Sequence, residues 1–98
     1  MKAIIINPQT KEITEQDIRI DSFEDHYKIM ECDLIEPFRP ILGHCLWVDE
    51  EGLFKRNLKP FIICEKYFVG KAILLAGNYG TKDCKVSLDY VKSQVRFI

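Results

Sequence analysis

The densest grouping of residues able to bind something runs from Trp47 to Phe61. Lys55, Arg56 and Lys59 place three cations within five residues, flanked by Phe54 and Phe61 and shortly after the only tryptophan, Trp47. Cations neutralise phosphates and aromatic faces stack on bases, a stack being worth roughly 1–3 kcal/mol. Asn57 adds a donor and an acceptor for a ring edge. The candidate ligand-binding residues are therefore Trp47, Phe54, Lys55, Arg56, Asn57 and Lys59. The commoner pattern competes with this reading: Phe54 and Phe61 anchor a core, the cations are solvated, and Trp47 is partly buried.

Catalytic chemistry finds little to work with. A nucleophile needs an adjacent base that a third group orients. The two histidines, His26 and His44, supply no such set; His44 and Cys45 are neighbours on a strand and point to opposite faces. Gly77-Asn78-Tyr79-Gly80 lacks the lysine and long helix of a phosphate loop, and reads as a turn. Asp49-Glu50-Glu51 is a run of consecutive acids rather than the alternating ligands of a calcium loop. It reads as a solvated strand end that discourages edge pairing. Cys32, Cys45, Cys64 and Cys84 are 13, 19 and 20 residues apart, which matches neither a zinc ribbon nor a redox pair. The expectation is a protein that is not an enzyme, with no cofactor and no metal.

The elements that would position these residues follow from periodicity. Ala3 to Ile6 is apolar on both faces, as in a central strand. Asn7-Pro8-Gln9-Thr10 is a type I turn, and Glu12 to Ile18 a more exposed strand. Asp21 and Ser22 start a helix from Phe23 to Glu31 with Phe23, Tyr27 and Met30 on its apolar face and His26 at its edge. Cys32 to Glu36 reads as a short strand that Pro37 and Pro40 end. His44 to Asp49 alternates, and Gly52 is expected to turn the chain left-handed into a return strand at Leu53-Phe54. Phe61 to Cys64 is a short apolar run, Val69 to Ala76 a buried strand, and Ser87 caps a short helix bearing Leu88, Val91 and Val95. Residues 95–98 fit either the end of that helix or a last strand. The fold expected is α+β, a single domain over residues 1–98: a mainly antiparallel sheet of about five strands with one helix packed on it and a short C-terminal helix.

Composition sets the surroundings. The 98 residues are 47% hydrophobic and 30% charged, with a net charge of −1, which gives no reason to expect specific DNA binding. Residues 1–36 have a balance of −5 and residues 37–98 one of +4; a homo-oligomer with complementary contacts is one consequence. No apolar run approaches the roughly 20 residues of a membrane span. With no secretory leader pattern, the thiols are expected to be reduced in a cytoplasmic protein with no membrane partner.

Several stretches together resemble a bacterial and phage family known as domain of unknown function 3846. They are Met1 to Ile6, Cys32-Asp33-Leu34, Leu46-Trp47-Val48-Asp49-Glu50-Glu51-Gly52-Leu53, Val69 to Leu74, Leu88 to Val91 and Val95 to Ile98. Members often carry a Gly-Leu-Pro-like stretch after the turn glycine, where this chain has Lys55-Arg56-Asn57-Leu58-Lys59-Pro60. The resemblance implies a small accessory product of phages or other mobile elements, and it carries over no catalytic or binding residue. The expected function is sequestration of an anionic small molecule, such as a nucleotide immune signal. The alternative is a protein–protein inhibitor or assembly module acting on a host protein.

Overall fold

The computed structural model describes residues 1–98. The chain runs β1 (Lys2–Asn7), β2 (Glu12–Asp17), α1 (Phe23–Met30), β3 (Ile35–Phe38), β4 (His44–Asp49), a 3-10 turn (Gly52–Phe54), β5 (Pro60–Ile63), β6 (Lys66–Val69), β7 (Ala72–Ala76), α2 (Leu88–Gln94) and β8 (Val95–Phe97). Five strands form one antiparallel sheet in the order β2-β1-β7-β4-β3; β6, β5 and β8 form a second sheet of three.

The larger sheet is the middle layer. One face carries Ile4, Ile6, Leu46, Val48 and Leu74 against Phe61, Ile63 and Phe68 of the second sheet and Val91 of α2. The other carries Ala3, Ile5, Cys45, Trp47, Ile73 and Leu75 against Met30 of α1 and Cys32 just after it. Burial on both sides is why β1 and β7 are continuous apolar runs rather than alternating ones. Each fully buried Ile or Leu contributes about 1.5–3 kcal/mol, so the middle sheet anchors both clusters.

The expected α+β class, the five-stranded antiparallel sheet and both helices are present, and a three-stranded sheet is added to them. Several boundaries differ for physical reasons. Leu53-Phe54 is a 3-10 turn, not a return strand; β4 pairs with β3 and β7 instead. Gly52 is not left-handed. A side chain there would come within 2.5 Å of the Val69 carbonyl oxygen, so the glycine serves a close backbone approach. β3 runs through Pro37, which an edge strand with one neighbour tolerates. Val69 to Ala76 is two strands in different sheets. α1 ends at Met30, with Glu31 left-handed at its cap; of the expected face of Phe23, Tyr27 and Met30 only Met30 is buried, with His26 beside it. Residues 95–97 are a strand paired with β5.

Candidate functional site

α1 begins at an extended Ser22. The Asp25 carboxylate accepts the backbone N–H of Asp21 at 2.7 Å and of Ser22 at 3.2 Å, and those bonds hold its pKa below the usual carboxylate value. This fixes the first turn. Phe23 and His26, three residues apart, then share a helix face and lie over Trp47 of β4. The ring centroids of His26 and Trp47 are 5.2 Å apart at 67°. Those of Phe23 and Trp47 are 5.7 Å apart at 74°. Both are edge-to-face arrangements that aromatic quadrupoles favour.

A third segment completes the wall. Ala76 and Lys82 bridge across the loop that follows β7, holding Tyr79, Gly80 and Thr81 beside the indole. Gly80 has φ +64°, and a Cβ there would lie 2.8 Å from Trp47 Nε1; the glycine lets the backbone approach the indole nitrogen. The result is a cleft of about 570 Å³ between the start of α1, β4 and this loop, with Met1 and Ile20 on its remaining side. That size is ordinary for a small-molecule site.

The cleft has a polar peculiarity. Three buried side-chain nitrogens in the protein lack a hydrogen-bond partner within the protein: His26 Nδ1, His26 Nε2 and Trp47 Nε1. All three belong to residues that line this one cleft. His26 is 5% exposed and Trp47 6%. A buried polar atom without a partner costs about 1–3 kcal/mol, and native structures keep few of them. Burial holds the His26 pKa below 6.5; the Ser22 backbone, near the ring but outside hydrogen-bond geometry, and the Asp25 carboxylate oppose this without reversing it. The ring is therefore neutral at pH 7, with one N–H and one lone pair. With the indole N–H, two donors and one acceptor lie unpaired inside the aromatic walls of the cleft, just beneath its surface.

The six residues singled out by sequence are not brought together. Trp47 lines the cleft, and none of Phe54, Lys55, Arg56, Asn57 and Lys59 does. Lys55 Nζ donates to the buried Asp49 carboxylate at 2.7 Å, a bond that raises the lysine pKa. Lys55 is thus committed to neutralising a carboxylate that would otherwise be buried unpaired. Asn57 and Lys59 give their backbone groups to Gln9 in the β1–β2 turn, which clamps the loop. Arg56 and the Lys59 side chain stay on the surface. Phe54 is 86% exposed, whereas Phe61 is core.

His26, Phe23 and Tyr79 were not among the sequence candidates, and His26 is a buried floor residue rather than a helix-edge one. The only signal in the chain was the i, i+3 spacing of Phe23 and His26 behind a helix start. Nothing in sequence joined that face to Trp47. Cys32 and Cys45 add no reactive group: burial pushes both up to about 11, so they are protonated at pH 7.

The class defined so far is a three-layer α+β protein with an aromatic cleft at the junction of a helix start and the middle sheet. The chain belongs to the family described as domain of unknown function (DUF3846), whose family model matches residues 1–96. Neither the curated proteins nor the solved structures supplied a match. No helix is long and apolar enough to cross a membrane.

Proposed function

We propose that the chain is a non-catalytic binding protein that takes a small molecule into the cleft of Phe23, His26, Trp47 and Tyr79 and sequesters it stoichiometrically. The observation that carries this reading is the convergence of the three unpartnered nitrogens on one aromatic cleft. A flat heteroaromatic ring, such as a nucleobase, would cover the apolar walls and, with a small shift of the His26 and Trp47 side chains to uncover them, pair its edge with those nitrogens. Binding is favoured over catalysis because His26 lacks the second group that would orient it as a base. In the mobile-element setting expected of the family, capture of a nucleotide immune signal in the cytoplasm is the corresponding role.

Calorimetry against nucleosides and linear and cyclic nucleotides, with Trp47 fluorescence as a second readout, tests this. The expected result is saturable one-to-one binding with quenching of the indole, lost in His26→Phe and in Trp47→Phe. Absence of heat and quenching across the panel would overturn it.

One observation favours a second reading. Leu53 (71% exposed) and Tyr67 expose apolar surface in a groove that β3, β4 and β6 line, and the exposed Phe54 follows Leu53 in the 3-10 turn. Exposed apolar patches of this kind suit a protein partner or a second copy of the chain. If that surface is the functional one, Phe54→Asp abolishes capture of a host protein or self-association in light scattering. An unchanged result in both assays removes this reading.

A further inference from the structure

The cleft itself carries few charges. Asp21 on its lip is engaged by Arg19 at 2.8 Å. The Met1 ammonium on its lining is paired with Asp17, and Arg39 lies outside the lining but packed against it. Pro37 pairs with Trp47, and Phe38 with Leu46. Continuing that antiparallel register by one residue sets Arg39 beside Cys45, on the same sheet face as Trp47. The guanidinium carbon lies 5.6 Å from the centroid of Tyr79, a cleft-lining residue. Arg39 Nε donates to the Asn78 carbonyl at 2.9 Å. These two contacts orient the side chain, yet Arg39 makes no ion pair and is exposed. Its terminal nitrogens form a fork, a geometry that takes carboxylate or phosphate oxygens two at a time.

We propose that Arg39 is the anion-binding residue of the Trp47 cleft, so that the ligand is a flat heteroaromatic ring carrying a phosphate or a carboxylate. The proposal rests on the cleft being the binding site. It moves the anion contact away from Lys55, Arg56 and Lys59, and it needs only one positioned guanidinium because the ring supplies the remaining affinity. The site is assembled from the end of β3 and the loop after β7, two segments 40 residues apart along the chain at Arg39 and Tyr79. The composition of neither segment marks it.

The test is a ratio of affinities measured on the full chain. Adenosine and guanosine are compared with their monophosphates, and neutral quinaldamide with quinaldate, so that phosphate and carboxylate are read separately. In the wild type the charged member of at least one pair is expected to bind roughly tenfold more tightly, with the advantage shrinking as salt rises. In Arg39→Gln the ratio is expected to fall to about one, and Arg39→Lys to keep part of it, since lysine lacks the fork. Equal affinities within every wild-type pair would overturn the assignment while leaving the cleft as a site for neutral rings. A ratio retained in Arg39→Gln but lost in Arg56→Gln would overturn it in favour of the loop. An equal loss of charged and neutral ligands in Arg39→Gln would overturn it by showing that Arg39 only supports the Tyr79 loop. No binding by any probe would fail the cleft reading and the assignment with it.

Discussion

His26 and His44 are equally buried, each 5% exposed, and serve opposite ends. His44 sits where β4 begins and ties two loops together. Its Nδ1 contacts the Leu42 carbonyl at 3.0 Å, and the Lys85 backbone N–H donates to its Nε2 at 3.0 Å. Because a backbone N–H only donates, Nε2 holds the lone pair and Nδ1 the proton. The ring is a cross-link with both nitrogens used. His26, on α1, has neither nitrogen used. Residue type and burial are the same in both places; only the account of partners differs. A satisfied buried imidazole is a joint, and an unsatisfied one beside a cleft is a place for a ligand to complete.

The contrast is sharpest where its two halves should respond with opposite signs. Replacing His44 by Ala leaves the Leu42 carbonyl and the Lys85 N–H without their partner. A loss of about 3 kcal/mol is expected, read from the midpoint of denaturant unfolding. Gly80→Ala disturbs the His26 side through its neighbour, since it strains a left-handed residue and drives a methyl against Trp47. A loss of about 2 kcal/mol with a shifted tryptophan emission is expected.

His26→Phe removes two unpartnered nitrogens and keeps a ring of similar shape. A gain of about 1 kcal/mol is expected, together with loss of ligand binding. If it destabilises as much as His44→Ala, the two histidines are alike and the contrast fails. His26 also carries a pH dependence of its own. The folded His26 pKa lies below 6.5, so between that depressed value and 6.5 the unfolded chain binds more protons. His26 adds no charging penalty above pH 6.5, and stability falls as pH drops from 6.5 to its folded value. The His26→Phe variant should lack that part of the acid-side slope in unfolding free energy.

The smallest effect lies away from both histidines. Cys64 and Glu65 join β5 to β6 in a two-residue hairpin with φ of +49° and +67°, a conformation that asparagine and glycine adopt more readily. Glu65→Gly is expected to stabilise by about 0.5 kcal/mol in the same unfolding assay. It has no reason to change binding.

That hairpin also shows why part of the fold was hidden in the sequence. β1, β7 and the α1 start were legible because Ala3 to Ile6, Ala72 to Ala76 and Ser22 obey local rules: two-faced burial and capping. The second sheet was not, because Cys64-Glu65 carries none of the usual turn residues and Gly70 reads as part of a strand. The site was half legible. Trp47 stood out as the sole tryptophan, but the residues nearest it in sequence, Phe54 to Lys59, are led elsewhere by the 3-10 turn and held by Asp49 and Gln9. His26 and Tyr79 join Trp47 at the cleft, and Arg39 joins Tyr79, only through packing and register, and whether a nitrogen lacks a partner is a tertiary property with no local signature.

Because Trp47 is the only tryptophan, the protein has one indole N–H resonance. Following that proton by NMR during titration with adenosine and guanosine monophosphates tests the central claim most directly. The cleft reading expects the resonance to move and to saturate at one ligand per chain in the wild type, and to stay still in His26→Phe. An indole proton that does not move while calorimetry records bound nucleotide would contradict it.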